Sequence, residues 1–174
     1  HMSTLHVENL KGLSSGGNAN KIIVPSGQTL DASAGVLTPS AGQIVQQVEY
    51  FDDATFSTQS TSFVTTLCTL SITPKFSNSK INIFITGGGY TSSYQTYRGQ
   101  LQKNGSNFSN YASEDLPCYS TVSQHMGQTI GINYTDQNVG TTSSVTYAYY
   151  IKSVNGDLIY FYRNYGIILQ EIKV

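Results

Sequence analysis

From Gln43 onward apolar and polar residues alternate with a period of two, the spacing of a half-buried β-strand. Lys80 to Thr86 sets Ile81, Ile83 and Ile85 on one face and Asn82, Phe84 and Thr86 on the other, and Val145, Tyr147, Tyr149 and Ile151 repeat the pattern. No stretch keeps helical spacing over three turns. The alternation predicts strands near 44–51, 62–73, 80–88, 94–103, 107–113, 118–125, 129–135, 144–154, 157–164 and 167–173, enough for two packed sheets. Asn104-Gly105 and Asn155-Gly156 predict type I′ hairpins, because both central residues must take positive φ and these residue types tolerate it. The first would join 94–103 to 107–113, the second 144–154 to 157–164. Ile167-Ile168-Leu169 and Leu158 to Tyr162 are apolar on both faces, as expected of strands covered from above and below. A lone sandwich leaves one side of each sheet wet, so this pattern predicts a subunit interface that includes Tyr160, Tyr162, Ile168 and Ile172.

Residues 3–42 follow another pattern. They lack aromatic residues, are punctuated by glycine, and offer only short apolar pieces such as Leu5, Val7 and Leu10. Lys21 to Pro25 reads as a β-branched strand and Gly27 to Leu30 as a turn. Such a segment has no core of its own, whereas three copies wound together would cover Ile22, Ile23 and Val24. Residues 3–42 are therefore expected to form a short β-rich trimerising stalk, joined through Pro39-Ser40-Ala41-Gly42 to a head over 43–174. His1-Met2 reads as a cloning scar.

Composition narrows the function. Charged residues make up 11% of the 174 positions, against roughly 25% in an average soluble domain. Ser, Thr, Asn and Gln supply 65 positions, and net charge is -1. Scattered cations give no basic stripe to displace counterions from phosphate, so no nucleic-acid partner is expected. Apolar runs fall far short of the roughly 20 residues of a membrane span, so no membrane insertion is expected. Cys68 shares a face with Val64, Leu70 and Ile72 and reads as a buried free thiol; with Cys118 it makes too few cysteines for a disulfide framework.

Candidate chemistry is sparse. His6 and His125 lie far apart without flanking ligands; only a threefold stalk with His6 turned inward would gather three imidazoles on its axis. Asp52-Asp53 and Glu114-Asp115 are adjacent pairs of the kind that face water in loops, not two carboxyl groups set across a glycosidase cleft. There is no Gly-x-Ser-x-Gly elbow, and Gly87-Gly88-Gly89 precedes neither a Lys-Ser/Thr pair nor a helix, so it reads as a relaxed strand end. Three Asn-x-Ser/Thr matches are the number chance supplies in a chain this rich in Ser and Thr. The expectation is a non-enzymatic protein without cofactor. What remains is binding. Tyr90 to Tyr97 and Asn107 to Tyr119 mix Tyr with Asn, Gln and Ser, groups suited to stacking on a sugar ring while bonding its hydroxyls. Tyr94, Tyr97, Asn110, Tyr111 and Tyr119 are the candidate contacts, expected on loops at the end of the head away from the join.

Ser40-Ala41-Gly42-Gln43-Ile44-Val45-Gln46, Thr55-Phe56-Ser57-Thr58, Ser60-Thr61-Ser62-Phe63-Val64, Ser71-Ile72-Thr73-Pro74 and Ser79-Lys80-Ile81 resemble virion structural proteins of tailed, especially marine, bacteriophages. Arg98-Gly99-Gln100-Leu101, Lys103-Asn104-Gly105, Thr141 to Tyr147 and Gln170-Glu171-Ile172-Lys173 extend the likeness, and Ile22 to Asp31 resembles the short repeats that lead into fibre domains. One departure is the lack of a proline after Asp136. The resemblance implies a homotrimeric tail-fibre or appendage protein of the virion. It also implies an antiparallel jelly-roll sandwich head similar to the C1q and tumour necrosis factor heads. Its partners would be other virion proteins and a host-surface glycan or protein. The alternatives are a structural connector or decoration protein and, further off, a polysaccharide-degrading enzyme.

Overall fold

The alternation from Gln43 onward builds ten strands among the described residues: β1 (Ile44–Asp52), β2 (Thr55–Thr58), β3 (Val64–Ile72), β4 (Lys80–Thr91), β5 (Thr96–Lys103), β6 (Ser106–Asn107), β7 (Cys118–Tyr119), β8 (Met126–Asp136), β9 (Val145–Ser153) and β10 (Ile159–Ile172). The computed structural model describes residues 14–16, 22–29, 39–91, 96–107, 118–119 and 126–174. One sheet runs β1-β10-β4-β8 with β2 also on β10; the other runs β3-β9-β5-β6 with β7 also on β5. Every pairing is antiparallel. The chain is an all-β sandwich of two sheets. It divides into compact units at 1–38 and 39–174, at the start of the Pro39–Gly42 segment. Pro39–Gly42 lies in the second unit, where Gly42 N donates to Lys173 O (2.7 Å) and Lys173 N donates to Gln43 O (3.0 Å).

The core takes one face of each strand. Ile81, Ile83 and Ile85 of β4 and Ile167 and Leu169 of β10 meet Cys68, Ile72, Leu101, Val145, Tyr149 and Ile151 of the opposite sheet, all wholly or almost wholly buried. Each such aliphatic side chain contributes about 1.5–3 kcal/mol on burial. Large rings need gaps. A Cβ at Gly89 would collide with the Tyr97 hydroxyl, and one at Gly99 with the Tyr149 hydroxyl. The Gly87-Gly88-Gly89 run therefore lies inside β4 and not at a relaxed strand end, because an inward side chain there would displace aromatic rings of the core.

Two carboxylates stitch the sandwich. Glu171 is fully buried; its Oε1 accepts from Lys75 N (2.9 Å), Phe76 N (3.0 Å) and Ser79 Oγ (2.7 Å), and its Oε2 from Gln46 Nε2 and again Lys75 N. Burial alone would push its pKa up. The Lys75 amide, the Ser79 hydroxyl, the Gln46 amide and the Phe76 amide together outweigh burial and hold the carboxyl below its ordinary value. Asp136 takes a different solution: its Oδ2 accepts from Lys103 Nζ (2.6 Å) and the Tyr147 hydroxyl (2.6 Å), tying β8 to β5 and β9 across the two sheets. Lys103 Nζ also donates to Val139 O (3.0 Å), so the turn that lacks a proline is held by a cation instead.

Several expectations change. Asn104 and Gly105 both take positive φ (51° and 76°) and join β5 to β6. In the Asn155-Gly156 pair only Gly156 does (81°), and the segment crosses from β9 in one sheet to β10 in the other, so it is no hairpin. The strands expected at 157–164 and 167–173 are one strand, β10, with a register shift between Tyr162 and Gly166 and Asn164 at φ 52°. The strand β2 went unpredicted: at four residues it is too short for alternation to reveal. Ile22 to Val24 pair in no strand and are exposed, while Pro25 to Gln28 closes a turn with Gly27 at φ 81° and Gln28 N donating to Pro25 O (3.0 Å).

Candidate functional site

β10 runs between β1 or β2 on one side and β4 on the other, so its outward residues occupy the middle of a broad sheet face. Ile159, Phe161, Tyr165, Ile167, Leu169 and Glu171 are buried, which turns Tyr160, Gly166, Ile168, Gln170 and Ile172 outward by alternation. Register aligns them into rows across the strands: Gln47, Gln170, Asn82 and Thr135; then Glu49, Ile168, Phe84 and Asn133; then Phe51, Gly166, Thr86 and Gly131. The first row is knitted by amides and a hydroxyl, with Gln170 Nε2 donating to Gln47 Oε1 (2.7 Å) and Thr135 Oγ1 to Asn82 Oδ1 (2.8 Å). The next two rows carry apolar side chains. Gly166 lets the Phe51 ring lie against β10, since a Cβ there would collide with it. Further along, the Tyr90 and Tyr160 rings meet edge-on with centroids 5.6 Å apart. Phe51 is 59% exposed and Ile44, opposite Ile172, is 54% exposed.

The opposite sheet presents different chemistry. Its outward rows are Thr65, Tyr150 and Gln100; Thr69, Ala148 and Gln102; and Ser71 with Thr146, whose hydroxyl oxygens lie 2.7 Å apart. Gln102 Nε2 donates to Gln100 Oε1 (2.7 Å), and Lys152 Nζ sits 4.5 Å from the Phe63 ring centroid. Polar groups there bond to one another along and between the strands.

At the corner where β1 gives way to β2, beside the Asn164 irregularity, lies a recess of about 480 Å³ lined by Phe51, Asp52, Asp53, Thr86, Asn164 and Tyr165. Asp52 shapes the corner. Its Oδ2 accepts from the Tyr50 hydroxyl (2.7 Å) and its Oδ1 from Asp53 N (2.7 Å) and Ala54 N (3.0 Å). The Tyr50 hydroxyl and then the Ala54 amide hold the Asp52 carboxyl below its ordinary value, and the same bond to Asp52 raises the pKa of Tyr50. The Cys68 thiol is buried, donates to Gly166 O (3.6 Å) and is pushed up to about 12 by burial, a packed and unreactive group. Among the described residues no three His, Cys, Asp or Glu side chains are placed to hold a metal ion.

Of the residues singled out by sequence, Tyr160, Ile168 and Ile172 share the outer face of the β1-β10-β4-β8 sheet; Tyr162 lies in β10 opposite Gly88 and Thr55, its side chain outside the described set. Tyr97 is 2% exposed and packs inward over Gly89, so it is a core residue and not a receptor contact. The error is one of parity, since Tyr97 shares its face with Gly99 and Leu101. Tyr94, Asn110, Tyr111 and His6 lie outside the described residues, and Tyr119 falls in β7 with its side chain undescribed. Phe51, Phe84 and Asn164 were missed. Phe51 and Phe84 sit at polar-phase positions, a signal present in the sequence, whereas the placement of Asn164 depends on a strand changing partners. Neither protein-family models nor curated proteins give a match to the chain.

Proposed function

We propose that the chain is the head and part of the stalk of a homotrimeric tail-fibre or related appendage protein of a tailed-phage virion, with a host-surface glycan as the ligand of the head. The observation that carries assembly is the outer face of the β1-β10-β4-β8 sheet, where Phe84, Ile168, Ile172 and Tyr160 interrupt the polar phase that would suit water. Successive strands from β3 onward alternate between the two sheets, β5 to β7 counting as one step, and the first strand pairs with the last. That winding supports a jelly-roll head. A threefold assembly covers Phe84, Ile168 and Ile172 of each protomer with its neighbours, leaves the β1–β2 corner around Phe51 open and presents three equivalent binding sites. Sites of millimolar strength then hold a repetitive glycan about 10² to 10⁴ times more tightly than one alone. Light scattering is expected to give about three times the chain mass of 18.9 kDa, and a glycan array probed with the intact protein is expected to show binding. A stable monomer at micromolar concentration would remove the assembly, and a blank array the ligand class.

A further inference from the structure

We propose that the recess at the β1–β2 corner is a saccharide subsite that takes one neutral or amine-bearing sugar ring and rejects acidic sugars. This rests on the glycan-binding reading above and deepens it by naming the place and the sugar class. A volume of about 480 Å³ lies in the range of small-ligand sites, roughly 300–1,000 Å³, and leaves room for a ring and its substituents. Phe51 supplies an exposed aromatic wall fixed against Gly166, the flat apolar surface on which the C–H face of a sugar stacks. Asp53, Thr86 and Asn164 are exposed around it and offer a carboxylate, a hydroxyl and an amide to sugar hydroxyls. Tyr165, wholly buried, also lines the recess; its hydroxyl makes no hydrogen bond of good geometry, although Tyr50 and Asp52 lie beside it.

Charge selects the class. Asp52 and Asp53 line the recess, and none of its lining residues among those described is Lys, Arg or His, so a carboxylate or phosphate on the ligand meets like charge, whereas an ammonium meets its opposite. Asp52 has both oxygens occupied within the corner, which leaves Asp53 as the group that bonds ligand and sets the preference.

The test is a titration of the intact protein, followed by NMR, with methyl glucoside, methyl galactoside, glucosamine, glucuronic acid and N-acetylneuraminic acid. At least one neutral or amino sugar is expected to bind in the millimolar range, with both acidic sugars at least tenfold weaker and Asp53→Asn narrowing that gap. Phe51→Ala and, separately, Asn164→Gly are each expected to weaken binding at least fivefold. The glycine suits the positive φ at 164, so that variant removes the amide and keeps the fold, and light scattering on both variants reports assembly. Unchanged binding in Asn164→Gly, or acidic sugars bound as well as neutral ones, would overturn the subsite. Loss of assembly in Phe51→Ala would do the same by assigning that ring to a neighbouring copy. Array-positive protein with sugar binding unaltered in both variants defeats the subsite alone; array-negative protein defeats the glycan reading with it.

Discussion

Across β10 and β4 the positions that alternation turns away from the core hold Ile168, Phe84 and Tyr90 among Gln170, Asn82 and Thr86, while across β3 and β9 the equivalent positions hold Thr65, Thr69, Ser71 and Thr146 with Leu67 and Tyr150. Inside, both sheets supply aliphatic and aromatic side chains to one core. Core burial therefore does not explain the difference; it lies in what each outer face meets. The Thr and Ser face satisfies hydroxyls within itself, Thr65 with Thr69 and Ser71 with Thr146. The other face keeps its first row polar, then sets Ile168 and Phe84 between Glu49 and Asn133 and places Phe51 in the row of Thr86, so apolar side chains lie among polar ones there.

The comparison breaks most visibly by placing a charge on each face. Ile168→Asp is expected to cost about 3–5 kcal/mol and dissociate the proposed trimer, in which a carboxylate there would be buried without a partner. Thr69→Asp on the opposite face is expected to change stability by about 0.5 kcal/mol or less. Light scattering and thermal melts of the two variants check this, and equal tolerance would erase the distinction between the faces.

Next comes the latch that holds β1 in the apolar sheet. Glu171→Ala leaves the Ser79 hydroxyl and the Lys75 and Phe76 amides without their acceptor and is expected to cost about 3 kcal/mol, with hydrogen exchange rising first in β1 and not in β9. The wild-type protein carries a pH signature of the same latch. Glu171 has a folded-state pKa below its ordinary value of 4.5, so its contribution is full above the unfolded pKa and is lost as pH falls below it toward the folded one. The melting temperature is expected to drop as pH falls below about 4.5, and Glu171→Gln, which does not titrate, should flatten that part of the curve.

The smallest effects separate the two sides of a single sheet. Gly89→Ala drives a methyl into the Tyr97 hydroxyl and is expected to cost about 1–3 kcal/mol. At Gly131, on the outer side of β8, a Cβ meets nothing within 4 Å, so Gly131→Ala should be neutral or stabilising by about 0.5 kcal/mol. Urea denaturation of the pair resolves the difference.

How much of this was legible in sequence follows from how local each cause is. Alternation alone places Ile81, Ile83 and Ile85 in the core, and Asn104-Gly105 declares its turn, because both effects act within a few residues. Asn155-Gly156 misled because the pair permits a tight turn but does not dictate which sheet the next strand enters. The gap expected between 164 and 167 is absent and β10 continues through it, since the strand exchanges β2 for β1 as its neighbour there. The donors around Glu171 come from Gln46 and from residues 75 to 79, far apart along the chain, so no local pattern announces them. The same holds for the recess, whose Phe51, Thr86 and Asn164 converge only once three strands are in register.

β10 also sets a timetable. Ile44 pairs with Ile172 and Asp52 with Tyr165, so the first strand of the sandwich has no partner until the last strand has been synthesised. β4 waits for the same strand on one of its edges. Closure of such long loops is slow, with folding times of milliseconds to seconds typical of β-sandwiches. The apolar outer face comes into being only when β10 docks between β1 and β4. In the proposed assembly, a ribosome-bound chain that has not yet reached β10 lacks the contact surface, so association waits for that strand.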